Sequence, residues 1–126
     1  MTPALGVGVD AVEVPRFAAV LQRRPRLEAR LFTDEERRDR GSPSARVRSL
    51  AARFAAKEAT MKALGVGLGG CAFTEVEVTR VGTRPVLVLH GAAAARATAL
   101  GVGQLLCSLT HTDSVAVAIV VAEEGR

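Results

Sequence analysis

The segment from Ala45 to Leu64 constrains this chain more than any other. It reads as one long helix. Ser44 caps it after the loop Gly41-Ser42-Pro43-Ser44, and the tract Gly65-Val66-Gly67-Leu68-Gly69-Gly70 stops it. At about 100° per residue, Val47, Leu50, Phe54, Met61 and Leu64 fall on one stripe, with Lys57 and Glu58 inside or beside it and Lys62 on its flank. The opposite face is Ala52, Ala55, Ala56, Ala59 and Ala63. A helix apolar nearly all round belongs inside a fold. Lys and Glu are seldom buried unless they are paired or bound to something. One reading is an ordinary ion pair between Glu58 and Lys62, which has the favourable polarity but stabilises by only ~0.2–0.5 kcal/mol. The other is a functional cluster, in which an anion relieves the like-charge conflict of Arg53 with Lys57, also four residues apart.

The chain has 126 residues, enough for a single domain spanning 1–126 and one modest core. It lacks Tyr and Trp and has only four Phe, so that core must be built from Ala, Val and Leu. Small side chains bury little area each, and so short a chain gains from oligomerising. The net charge of +4, supplied mostly by Arg, points either to a plain basic surface or to a phosphate- or carboxylate-rich partner. The aromatic residues that single-strand binders interleave for base stacking are missing, which counts against nucleic acid. Cys71 and Cys107 have no zinc spacing with each other or with His90 and His111, and read as core or near-core residues. No signal peptide is expected, because Asp10 breaks the apolar start. The longest apolar run, Val115 to Ala122, is too short for a bilayer, so a cytosolic, reduced protein is expected.

Around the main helix the pattern alternates between periods. Leu5 to Val12 has strand period, with Leu5, Val7 and Val9 on one face and Gly6, Gly8 and Asp10 on the other. Pro15 opens a helix to about Arg23, and Pro25 ends or separates it. Thr33 and Glu36 form a capping-box signal for a short helix to about Arg40. Strands are expected at Phe73–Arg80, Pro85–Leu89, Gln104–Thr110 and Val115–Val121, and an Ala-rich helix at Ala92–Leu100. Short links between neighbouring strands favour an antiparallel α+β sheet. Neither glycine tract lies between a strand and a helix start, so neither is a dinucleotide fingerprint. Asp10 either faces water at a strand end or is a carboxylate held rigidly on a strand. In the second case it and Glu58 could share Mg²⁺, which typically takes one or two carboxylates plus phosphate oxygens. His111, in SLTHTDS, is by itself more readily a structural histidine.

Together the segments resemble the phosphopantetheinyl transferases of the holo-acyl-carrier-protein synthase family. GVGVDAVEVPRF is similar to that family's opening strand, LFTDEE to its Thr…Glu segment, and RFAAKEATMKALGVGLG to its most diagnostic element. RPVLVLHG is similar to its Gly-Lys-Pro hairpin and SLTHTDSVAVAIVV to its closing strand pair. The match is collinear across almost the whole chain. It implies an α+β fold, a mainly antiparallel sheet on a long buried helix, in a compact homotrimer with active sites at subunit interfaces. It implies a Mg²⁺-dependent enzyme that moves phosphopantetheine from coenzyme A to a serine of an acyl carrier protein. Asp10 and Glu58 would carry the metal, with Glu58 also helping to remove the serine proton and Lys62 assisting at the phosphoryl group. Arg53, Lys57, Gly65, Gly67, Arg84, Pro85, Thr110 and His111 would line the coenzyme, and Arg16, Arg23 and Arg24 would meet the acidic carrier. Neither nucleic acid nor a membrane is expected as a partner. Arg84 stands where the family usually has Lys, and Thr83 where it has Gly, so the hairpin geometry is expected to differ. Two rival readings are a non-enzymatic polyanion-binding module and a structural trimer built on the Ala face.

Overall fold

A computed structural model describes residues 2–38, 41–67 and 69–125. In chain order the elements are β1 (Ala4–Glu13), α1 (Val14–Arg23), α2 (Leu27–Leu31), α3 (Asp34–Arg37), α4 (Pro43–Ala63), β2 (Val76–Val81), β3 (Arg84–Leu89), α5 (Gly91–Leu100), β4 (Val102–His111) and β5 (Val115–Glu124). A 3-10 turn, Phe73–Glu75, leads into β2. The strands form two antiparallel sheets, a three-stranded β1-β5-β4 and a two-stranded β2-β3.

The glycines of β1 explain how α4 lies on the larger sheet. A Cβ on Gly6 would stand 1.9 Å from the carbonyl oxygen of Ala63, and one on Gly8 1.8 Å from that of Ala59. The glycine face of β1 is therefore the buried face, where strand backbone meets helix backbone. The Ala face of α4 completes the contact: Ala55, Ala56, Ala59 and Ala63 pack with Ala118, Val120 and Ala122 of β5. Small residues on both sides bring the two layers close. The larger side chains form a second cluster, in which Phe17 and Leu31 of the N-terminal helices meet Phe32, Leu50 and Ala116.

Several expectations change in detail. The reading that α4 has almost no solvated face is too strong. Arg53, Phe54, Glu58 and Met61 are half-buried and Lys62 is exposed, leaving one edge of the helix open. The expected strand from Phe73 begins only at Val76, because the Glu75 carboxylate accepts a hydrogen bond from the backbone N–H of Ala72 and closes a turn. The sequence reading contains no helix at Leu27–Leu31; Leu31 is buried there, and Glu28 is held by Arg37 and Arg46. The capping box at Thr33 and Glu36 forms as expected, and α3 ends at Arg37; the expected end near Arg40 falls outside the described residues.

Candidate active-site cleft

The close glycine contacts also place Asp10. Gly6 meets Ala63 and Gly8 meets Ala59, so β1 runs antiparallel to α4, and Asp10 continues the same face toward the helix flank that carries Glu58 and Lys62. Lys62 Nζ donates to Asp10 Oδ1 at 3.2 Å and to the Val9 carbonyl at 3.0 Å. The ion pair considered in the sequence, Glu58 with Lys62, gives way to Lys62 with Asp10. Burial, and then the nearby Asp10 charge, hold the Glu58 carboxyl above the ordinary carboxylate range, while Lys62 opposes them. Two carboxylates at one cleft, one of them resisting ionisation through burial and, second, through the charge of the other, make a place where added positive charge is favourable.

Asp10 and Glu58 both line a groove of about 450 Å³, walled by Arg16, Phe17, Phe54 and Phe73. A second groove of about 440 Å³ shares Phe54, Glu58 and Phe73 with the first and is also lined by Met61, Lys62, Gly67 and Cys71. Glu58 opens onto both. Gly65 turns the chain at the end of α4 with φ +65°, a left-handed conformation suited to glycine. At Gly67 a Cβ would meet nothing within 4 Å, so packing within the chain does not require glycine there. Among the described residues no group of three or more His, Cys, Asp and Glu is placed to hold a metal ion. A pair of carboxylates is nonetheless the usual protein share for Mg²⁺, which keeps waters and takes substrate phosphate oxygens. The donor set fits that ion.

The chain has two lysines, and the structure separates them. Lys57 is a correction to the expected coenzyme-lining set. Its side chain is fully enclosed, paired with Glu36 Oε1 at 2.7 Å and bonded to the carbonyls of Phe73 and Val76. Burial draws its pKa below the usual lysine value, with Glu36 opposing. Adjacent residues on a helix point about 100° apart, so Lys57 enters the core while Glu58 faces the cleft. Arg53 likewise turns toward β2 and α4, donating to the Val78 carbonyl and to Ser49 Oγ.

Thr110, His111, Arg84 and Pro85 are not brought to this cleft within one chain. Thr110 and His111 line a separate basic groove with Arg48, Ser49 and Arg80. Arg84 and Pro85 line another, against Leu105 to Cys107 of β4. Arg16 is at the cleft, and Arg23 and Arg24 are exposed at the end of α1. Cys71 and Cys107 are both half-buried free thiols; Cys71 borders the second groove, and burial pushes Cys107 up to about 11.

The roles of two residues, Glu36 in the core and Phe73 at the cleft, escape sequence reading. Glu36 looks like a capping residue and nothing more, yet it also binds Lys57 and accepts from the Val78 N–H. Phe73 looks like the start of a strand, yet its ring stacks on Phe54 at 5.4 Å, and Phe54 packs on Phe17 at 5.3 Å. The scarcity of aromatics was the available signal, since all four Phe gather at this one place.

Residues 6–120 match the family model of the 4'-phosphopantetheinyl transferase superfamily. The chain is 46% identical over 125 residues to a holo-[acyl-carrier-protein] synthase of Moorella thermoacetica, covering 96% of this chain and 95% of the relative. It is 48% identical over 120 residues to one of Streptomyces coelicolor, covering 94% and 97%. Among solved structures it is similar to a holo-(acyl-carrier-protein) synthase from Bacillus anthracis in complex with CoA (3',5'-ADP). That likeness has a TM-score of 0.79 and 29% identity over 99% of this chain and 100% of the other. An ACPS–CoA complex from Chronobacterium ammoniagenes is similar with a TM-score of 0.81 and 31% identity over 96% and 98%.

Proposed function

Because the chain belongs to the 4'-phosphopantetheinyl transferase superfamily, as a holo-[acyl-carrier-protein] synthase, we propose that it transfers 4'-phosphopantetheine from coenzyme A to a serine of an apo-acyl carrier protein, releasing adenosine 3',5'-bisphosphate. The observation that carries the mechanism is the meeting of three charges: Asp10 and Glu58 line one groove, and Lys62 pairs with Asp10 while lining the adjoining groove with Glu58. Asp10 and Glu58 would hold Mg²⁺, which when bound supplies Lewis-acid stabilisation of the diphosphate. The serine oxygen forms a bond to the pantetheine-side phosphorus as the bond to the nucleotide-side phosphate oxygen breaks. Glu58, at the meeting point of the two grooves, takes the serine proton. A serine hydroxyl is a weak nucleophile at neutral pH, so a carboxylate placed at the cleft to assist its deprotonation matters. Lys62 supplies a cation to the phosphoryl oxygens, exchanging its contact with Asp10 for one with substrate.

Arg53, Gly65, Gly67, Arg84, Pro85, Thr110 and His111 are assigned to the coenzyme. Four of them, Arg84, Pro85, Thr110 and His111, line grooves separate from Glu58 in one chain, which favours a homotrimer in which a neighbouring copy completes each site. The outer face of the larger sheet supports self-association: Leu5, Val7, Val9, Leu106, Val115 and Ile119 are all exposed there, and grouped exposed apolar side chains of this kind mark interaction surfaces. Arg16, Arg23 and Arg24 would steer the acidic carrier, raising encounter rate more than final affinity. Among the described residues no helix is long and apolar enough to cross a membrane. The proposed setting is cytoplasmic fatty-acid biosynthesis.

Mass spectrometry of an apo carrier protein incubated with the chain, coenzyme A and Mg²⁺ tests this reading. A gain of one phosphopantetheine, abolished by a chelator and reduced about 10²–10⁴-fold by Glu58→Gln, is the expected result. No mass gain, or a Glu58→Gln variant as fast as wild type, would refute it.

A further inference from the structure

We infer that Arg96 is a positioning residue for coenzyme A binding, which from α5 fixes the turn that ends α4. This rests on the transferase reading. Arg96 is the one charged side chain of α5, whose sequence is GAAAARATAL. Its Nε–H donates to the Leu64 carbonyl at 3.0 Å, so α5 reaches across to the C-terminus of the helix that carries Glu58 and Lys62. The last four carbonyls of a helix have no partners within it. Here the Val66 N–H closes on the Met61 carbonyl at 2.9 Å, and the Gly65 N–H on the Lys62 carbonyl at 3.1 Å. That pair of bonds is the common glycine-ended helix stop. The Leu64 carbonyl, at the cap itself, is left to Arg96, whose positive charge suits the negative end of the helix dipole.

The turn held in this way belongs to the site. Lys62 lies in the last turn of α4, and its ammonium reaches Asp10. Lys62, Val66 and Gly67 line the groove that Glu58 also lines, while Arg96 lies outside that lining and acts through backbone. A Cβ on Gly65 would stand 3.5 Å from Arg96 Nη2, so the guanidinium lies against the turn itself. The other end of α5 is fixed as well. The Glu75 carboxylate accepts from the Ala92 N–H at 2.6 Å, and the Glu75 carbonyl accepts from the His90 N–H at 2.8 Å. Glu75 closes the 3-10 turn that starts at Phe73, which lines the same groove. One short helix thus braces both ends of the segment that begins at Gly65 and ends at Phe73. Without the Arg96 bond, coenzyme A would have to fix the turn as it binds, and the cost would appear in its affinity.

The test compares wild type with Arg96→Met, which keeps an apolar stem and loses the donors, and with Arg96→Lys, which keeps a charged donor. Each is measured for kcat and for the KM of coenzyme A and of one apo carrier protein. Circular dichroism and thermal melting establish that each variant is folded. In Arg96→Met the KM of coenzyme A is expected to rise about tenfold, the low end for one hydrogen bond to a charged group. Its kcat and the carrier's KM should hold, because bound coenzyme then fixes the turn. Arg96→Lys should recover part of the loss. An unchanged coenzyme A KM in folded Arg96→Met, while wild type transfers normally, overturns the positioning role. So does a fall in kcat with both KM values unchanged, or an Arg96→Met chain that does not fold, since either makes the bond merely structural. If wild type itself transfers nothing, the transferase reading fails and takes the positioning role with it.

Discussion

Glu58 holds its proton more tightly than an exposed carboxyl does, and this has consequences for stability as well as for chemistry. A carboxyl whose folded pKa lies above its unfolded value contributes stability while protonated, and the contribution is lost as pH rises through the folded pKa. Ionised Glu58 therefore costs the fold at neutral pH. Glu58→Gln is expected to melt at a higher temperature than wild type at pH 7 in the presence of a chelator, with the advantage shrinking toward acid pH. The causes can be separated by NMR titration of the Glu58 carboxyl carbon. In Asp10→Asn its pKa is expected to fall part of the way toward the ordinary value, because burial remains and the like charge is gone. A titration that does not move would mean that the two carboxylates do not sense each other. Asp10, Glu58 and Lys62 stood out in the sequence as charges inside apolar segments, but only the fold brings Lys62 to Asp10. Lys57 carried the same signal and meant something else. Its partner, Glu36, lies 21 residues away, and no pattern along α4 distinguishes a lysine bonded across the core from one facing a phosphate.

The elements hold together where side chains are smallest and where one buried pair joins four segments. A methyl group on Gly8 would strike the Ala59 carbonyl at 1.8 Å, and both partners are backbone of packed elements. Gly8→Ala is expected to destabilise by roughly 3 kcal/mol in denaturant unfolding, near the upper end for overpacking. Lys57 and Glu36 join α3, α4, the 3-10 turn and β2. Lys57→Met strands the Glu36 charge in the core and is expected to cost ~3–5 kcal/mol. The double variant Lys57→Met/Glu36→Gln, which removes both charges, should recover part of that loss. The long helix, the capping box and the strand pairs could be read from periodicity and cap chemistry, although Ser42 rather than Ser44 caps α4, accepting from the Ala45 N–H, so that the helix starts at Pro43 instead of Ala45. The turn at Phe73–Glu75 could not, because its local bond between Glu75 and Ala72 acts together with contacts from α4 and α5 that lie far away in sequence. The short helix α2 was hidden for a related reason: five residues are too few to show a period, and its Leu31 is held by packing.

At the scale of the molecule, one chain presents a divided site and an uncovered sheet. The strand alternation that separates Leu5, Val7 and Val9 from the glycines was plain in the sequence, but not which face is covered. The glycine face meets α4, and the valine face is left outside, with Val9 57% exposed and Ile119 45% exposed. Composition gave the hint, since a core of small residues leaves a short chain in need of further burial. Ile119→Asp is expected to reduce the proposed homotrimer to monomers in sedimentation velocity while the isolated chain keeps its fold. It should also abolish transfer, if Thr110 and His111 serve a neighbour's cleft. The shared use of one cation by Asp10 and Glu58 is the claim most exposed to direct measurement. Calorimetric titration of coenzyme A into the protein, with and without Mg²⁺, should show metal-dependent binding in wild type and lose that dependence in both Asp10→Asn and Glu58→Gln. Coenzyme A binding that ignores Mg²⁺ in wild type, or stays metal-dependent in both variants, would contradict it.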